Sequence, residues 1–179
     1  VGVTCVNALS KYYSVEIRRD NAINFIDFSR GVTKTKLTKI NESKNNRLIN
    51  ILPASVTGTT VTFYPDPEIF KETLEFDSKV IIKSIKDHSY LTSKTYLHFY
   101  DDRNGSEHHY YFEGGIISLL REINKGKNVL HEPIYLHGLE DGIDIEVAIQ
   151  YNDSFQENTP SFVNIINTHE GGTHLTGFK

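Results

Sequence analysis

The sequence predicts an α+β fold, and two observations carry the prediction. Runs of alternating apolar and polar residues come in pairs around tight-turn dipeptides, Asp20-Asn21, Asn104-Gly105 and Asp141-Gly142. Such pairs read as antiparallel hairpins. The segment from Phe76 to about residue 91 instead repeats its apolar residues at helical spacing, and "GIISLLREINKGK" reads as a second helix stopped near Gly126. Strands joined mainly by hairpins, with a few helices between them, are the signature of an α+β arrangement rather than an alternating parallel one.

The elements follow in order. Residues 3–10 read as a helix preceded by Gly2, with Cys5 on a buried face among small and apolar neighbours. "YYSVEIRRD" and "INFIDFSRG" are two strands turned at Asp20-Asn21. The polar stretch 34–57, rich in Lys and Asn, reads as a hairpin or a mobile loop. "GTTVTFYPD" is a β-branched strand entered through glycine and left through proline. Phe76, Val80, Ile81 and Ile85 then line one face of a helix. "TYLHFYDD" and "HHYYFEGG" form the second hairpin, and "GIISLLREINKGK" is a helix stopped near Gly126. "PIYLHGLEDGIDIEVAIQYND" is the third hairpin, and "SFVNIIN" is a single further strand. The chain opens on a loop running into a helix and closes on a helix start, so both ends read as cut from something longer. A domain junction is expected at Glu113-Gly114-Gly115, dividing the chain into 1–113 and 114–179.

Bulk properties narrow the function classes. At 179 residues, with 38% hydrophobic and 23% charged residues, the chain has the make-up of a soluble globular protein. It has no apolar run of membrane-spanning length, so no membrane role is expected. A single cysteine excludes an internal disulfide framework and fits a reducing compartment. The net charge of −4 opposes a basic nucleic-acid surface over the whole chain, although Lys34, Lys36, Lys39, Lys44 and Arg47 make one basic stretch.

Candidate chemistry is sparse. His169 and His174 flank "EGG" and suggest a metal site, but five residues place them roughly 500° apart on a helix, on different sides. His108 and His109 are adjacent in a strand and point to opposite faces, so they do not share a metal. No metal ligands are assigned. Gly2 ahead of a helix offers backbone N–H groups to an anion, and equally serves as a plain helix start. Thr59, at the entry of its strand, offers a hydroxyl to a ligand or simply suits strand geometry.

In order along the chain, "VGVTCVNALS", "GTTVTFYPDPEIF", "YYFEGGI", "VAIQYNDSFQEN" and "SFVNIINTHEGGTHLTGF" resemble the ATPase subunits of bacterial type II topoisomerases. The gyrase B family matches best, ahead of its topoisomerase IV paralogue. The resemblance covers essentially the whole chain, and "QYND" followed by "NTHEGGTH" is its most specific part. It implies that residues 1–113 are the C-terminal half of a GHKL-type ATPase domain. It implies that residues 114–179 begin a transducer domain resembling ribosomal protein S5 domain 2.

By the same resemblance, Val1, Gly2 and Val3 match the end of the ATP lid, whose backbone amides hold phosphates. Thr59 matches a threonine near the adenine, and Val61 a wall of that pocket. ATP and Mg2+ are the implied cofactors. DNA, a gyrase A subunit and a second copy joined through the ATPase gate are the implied partners, in a bacterial cytoplasm or a DNA-containing organelle. ATP binding and hydrolysis then drive gate closure and strand passage. No catalytic residue is assigned within the chain. The family's glutamate base, magnesium-holding asparagine and adenine-reading aspartate precede Val1, and its phosphate-reaching lysine follows Lys179. A divergent relative that binds without hydrolysing is the other reading. The chain departs from the family at Tyr64, usually tryptophan, and at "SIKDHSYLTSK", which lacks the usual arginines, leucines and closing glycine. Those changes bear on how that helix packs.

Overall fold

A computed structural model describes residues 2–41 and 57–179. Val1 and most of the polar stretch 34–57 therefore lie outside the described residues. The chain forms two compact units, Val1–Glu75 and Phe76–Lys179.

The first unit begins with helix α1 (Gly2–Ala8). Strands β1 (Ser10–Arg19), β2 (Ala22–Ser29), β3 (Val32–Ile40) and β4 (Gly58–Pro65) form an antiparallel sheet in the order β3-β2-β1-β4. The β1–β2 turn is the expected one. Asp20 and Asn21 both take left-handed backbone, at φ 53° and 54°, as a tight hairpin turn requires.

Two expectations are corrected in this unit and a third is narrowed. The helix ends at Ala8 rather than residue 10, because Ser10 already opens β1 and its hydroxyl donates to the Val6 carbonyl at 2.6 Å. Cys5 is exposed, and α1 buries none of its residues. Residues 34–40 belong to a strand that pairs with β2 at the sheet edge. Its residues up to Lys39 are exposed, so a two-residue hydrophobic alternation is not needed there.

Side chains on alternate positions of β1 go to opposite faces. Tyr13 and Phe25 form the buried apolar core of the unit, one on each face, and Tyr13 meets Phe28 edge-on at 6.0 Å. Ser14, Glu16 and Arg18 are buried on the same face as Phe25.

In the second unit, helix α2 (Ser78–Leu91) starts at Asp77, whose carboxylate accepts from the Lys79 N–H at 2.8 Å. Strands β5 (Leu97–Asp101) and β6 (Ser106–Tyr110) form the second hairpin, followed by helix α3 (Ile116–Ile123). Strands β7 (Ile134–Glu140) and β8 (Ile143–Ile149) form the third hairpin. "SFVNIIN" is not one strand. It folds back on itself as β9 (Phe162–Val163) against β10 (Ile166–Asn167), with Asn164 at φ 54° in the turn. A short helix α4 (Thr173–Phe178) follows the two glycines.

The unusual end of α2 packs well. Tyr90 is buried and stacks on Phe112 at 4.0 Å, and Lys86 pairs with Glu122 of α3 at 2.7 Å. Beyond the helix, Lys94 takes a left-handed φ of 62°, the conformation that the absent glycine would otherwise serve. Gly115 caps α3 at φ 52°, and a Cβ there would lie 3.4 Å from Ser93 Cβ, so glycine suits the position sterically and conformationally.

Asp101 locks the β5–β6 hairpin to the start of α2. Its buried carboxylate accepts from Arg103 Nε at 2.9 Å and from the Ser78 hydroxyl at 2.7 Å, and Arg103 also reaches the Phe76 carbonyl at 2.9 Å. The Arg103 guanidinium, and then the Ser78 hydroxyl, hold this carboxyl well below its ordinary 3.8. A depressed carboxyl stabilises the fold above its unfolded value, and that contribution is lost as pH falls through the folded value. The unit should therefore lose stability as pH drops below about 4. The Asp101→Asn protein should be less stable than wild type at neutral pH and show a shallower acid limb. Urea titrations of both at neutral and acid pH check this.

Candidate functional site

The residues singled out by sequence fall in the first unit. Gly2 opens α1 with no acidic side chain in the first turn, so the free N–H groups of that turn are not already countered by a carboxylate. A Cβ on Gly2 would meet nothing within 4 Å, so the backbone there stands in open space. Val3 is exposed beside it.

Thr59 and Val61 share one face of β4, paired across the sheet with Ile17 and Val15 of β1. Phe63 continues that face, opposite Tyr13. Ile17 is 38% exposed, Val61 49% and Phe63 42%, so Tyr13 is buried at one end while the rest stands half open. A flat apolar strip bounded by a threonine hydroxyl is a surface on which a planar heteroaromatic group can lie with its polar edge satisfied.

The helix and the strip are held in one frame by a polar clasp that no sequence spacing announces. Asp66, just past β4, donates its N–H to the Leu9 carbonyl just past α1, at 3.0 Å. Arg30, just past β2, donates its N–H to the Ser10 carbonyl at 2.8 Å. The two side chains then pair, Arg30 Nε to Asp66 Oδ2 at 2.5 Å, and Arg30 also reaches Glu68 at 2.7 Å. The Glu68 N–H, and then Arg30, hold the buried Asp66 carboxyl below its ordinary range. Ala8 rests near the β2–β3 turn, where a Cβ on Gly31 would come within 3.5 Å of it. The structure thus fixes the C-terminal end of α1 against the ends of β1, β2 and β4. The hint in the sequence is "YPDP", which is more than a strand exit because its aspartate is the buried half of the clasp.

The adjacent histidines His108 and His109 sort as expected. His108 lies beside Phe99, while His109 stacks on His98, so the adjacent pair does face opposite ways. His174 contacts the Thr168 hydroxyl at 3.3 Å, and Gly171 takes φ 78° where the chain turns into α4. Among the described residues, neither His169 nor His174 joins a metal-ligating cluster. Among the described residues, no such cluster lies beside Gly2 or Thr59 either.

Comparison with known proteins gives consistent matches. The family model described as DNA gyrase B matches residues 115–179. The DNA gyrase B protein of Archaeoglobus fulgidus is 39% identical over 183 residues, covering 100% of this chain and 27% of that protein. The DNA gyrase B protein of Streptococcus pyogenes serotype M3 is 42% identical over 182 residues, covering 100% of this chain and 26% of that protein. The chain therefore spans about a quarter of the length of these relatives. Among solved structures, the 43K ATPase domain of Thermus thermophilus gyrase B, in complex with an aminocoumarin, superposes with a TM-score of 0.84 at 33% identity. That match covers 99% of this chain and 46% of the other.

Proposed function

Since this chain belongs to the DNA gyrase B family, we propose that it is part of the ATP-hydrolysing subunit of a type II DNA topoisomerase. The observation that carries the proposal is the match to a gyrase B ATPase domain over 99% of the chain. ATP binding and hydrolysis would drive closure of a gate between two copies and the passage of one DNA segment through another. DNA and a gyrase A subunit are the partners this reading requires, in the cytoplasm of a bacterium. No helix among the described residues is long and apolar enough to cross a membrane.

Within that reading, residues 1–113 serve the ATPase domain and 114–179 begin the transducer. The start of the family match at residue 115 supports this division. It differs from the division by packing at Glu75 and Phe76, because α2 packs against α3 across the functional boundary. The backbone N–H groups at Val1, Gly2 and Val3 would hold phosphate oxygens, aided by the helix N-terminus. Thr59 would hydrogen-bond the base edge, and Val61 would pack on its face. ATP supplies the free energy of phosphoanhydride cleavage when bound. The chain's own residues bind and orient, and none is assigned to the cleavage step.

Two substitutions in the full-length protein test these assignments. Gly2→Ala faces open space, so the fold should be unchanged while ATP affinity falls about tenfold, as expected when a Cβ stands where a phosphate must approach. Thr59→Ala should weaken binding about fivefold, the worth of one net hydrogen bond of about 1 kcal/mol. Calorimetric titration with a non-hydrolysable analogue, beside melting curves, reads both. Unchanged affinity in both variants would remove these residues from the site.

A further inference from the structure

We propose that the β5–β6 hairpin carries a zinc site formed by His98, Glu107 and His109, which rests on the hairpin's geometry and not on the nucleotide reading. His98 and His109 stand directly opposite each other across the two strands. Glu107 precedes His109 by two residues, so its side chain leaves the sheet on the same face. The three converge. His98 Nε2 lies 2.7 Å from Glu107 Oε1, and His109 Nε2 lies 3.2 Å from the same oxygen. The two imidazole rings stack at 4.4 Å with 10° between their planes, and the Nε2 atom of each lies against the same carboxylate oxygen. One ligand atom from each residue lies within 4.8 Å of the others.

Zinc in a tetrahedral site takes nitrogen at about 2.0–2.1 Å and carboxylate oxygen at about 2.0–2.2 Å, which separates its donors by roughly 3.3–3.5 Å. The Nε2–Oε1 spacings lie near that range, and rotation of the two parallel rings about their side-chain bonds brings both in-plane lone pairs onto one ion. Two neutral imidazoles and one carboxylate suit a borderline ion such as Zn2+ better than Mg2+ or Ca2+, which prefer oxygen alone.

A second feature supports the assignment. The Tyr96 phenol hydrogen-bonds Nδ1 of His109, leaving Nε2 of that ring directed at the shared carboxylate. Metal-ligating histidines are regularly oriented in this way by a partner on the other nitrogen. The strands themselves are held by the Asp101–Arg103 lock at the hairpin end. Only side-chain freedom is lost on binding. With three protein ligands on an exposed face, the fourth position is open to water or to a ligand from another molecule.

The test is titration of the metal-stripped, untagged chain with ZnCl2 by calorimetry, repeated with Co2+ to read its visible d–d bands. One tight equivalent is expected, with the absorption of a four-coordinate ion. His98→Ala and Glu107→Gln should each weaken binding by about tenfold or more, and Tyr96→Phe by about tenfold. These side chains are largely exposed, and circular dichroism verifies that each variant folds. Zinc should raise the melting temperature of the wild type and not of His98→Ala. His108→Ala and the double variant His169→Ala, His174→Ala should bind as the wild type does. Absence of binding, or binding that survives His98→Ala and Glu107→Gln, would overturn the site.

Discussion

Replacing Phe25 by alanine should destabilise the protein by about 3–5 kcal/mol. Phe25 is 1% exposed and sits in the middle of β2, opposite Glu16 of β1 and Thr38 of β3. It is one of only two apolar side chains of the first unit that are fully buried among the described residues, the other being Tyr13 on the opposite face. Truncating a buried ring leaves a cavity that its surroundings close only in part. A domain is held by about 5–15 kcal/mol in all, so the loss is a large share of the whole. Chemical unfolding followed by circular dichroism suits a chain without tryptophan. Leu37→Ala, at a site 63% exposed on the edge strand, is the matched control and should change stability by no more than about 0.5 kcal/mol. A Phe25→Ala loss as small as the control would mean that the sheet is not organised around that ring.

Much of this architecture is legible in the sequence because turns announce themselves chemically. Asp20-Asn21, Asn104-Gly105 and Asp141-Gly142 all lie between paired strands, and Asp20, Asn21, Gly105, Asp141 and Gly142 all have positive φ. Those residue types reach the left-handed region at low cost, so local chemistry decides local structure. Strand β3 is hidden for the opposite reason. It is an edge strand of Lys and Thr residues, and without a buried face it shows no apolar period. Its signal is the β-branched series Val32, Thr33, Thr35 and Thr38, which favours strand even when polar. Cys5 misleads through composition. An apolar helix reads as a buried one, yet α1 lies with Val3 70% exposed.

Side-chain constellations are less legible than elements, since they depend on register and on contacts distant in sequence. Asp66 meets Arg30 from 36 residues away, and no spacing rule joins them. His98 and His109 become neighbours only once the hairpin register is known. Adjacency in sequence draws attention to His108 and His109 as a pair, whereas the partner of His109 lies across the sheet and not beside it. The proposed nucleotide-binding residues are reached by resemblance alone, and Val61 among them lies in the half-open strip with Ile17 and Phe63.

On the proposed reading, this chain works as part of an ATP-operated gate. Such a gate is a two-state equilibrium that nucleotide biases by binding one state better than the other. Moving it from about 1:99 to about 99:1 needs a differential affinity of about 10⁴, or about 5.5 kcal/mol. A clamp of this kind should therefore change its oligomeric state almost completely on binding. The most direct measurement is analytical ultracentrifugation of the full-length protein, with and without a non-hydrolysable ATP analogue. The gate account predicts a monomer without the analogue and a dimer with it. The same sedimentation in both conditions would contradict it and leave a protein that shares the fold without the gate.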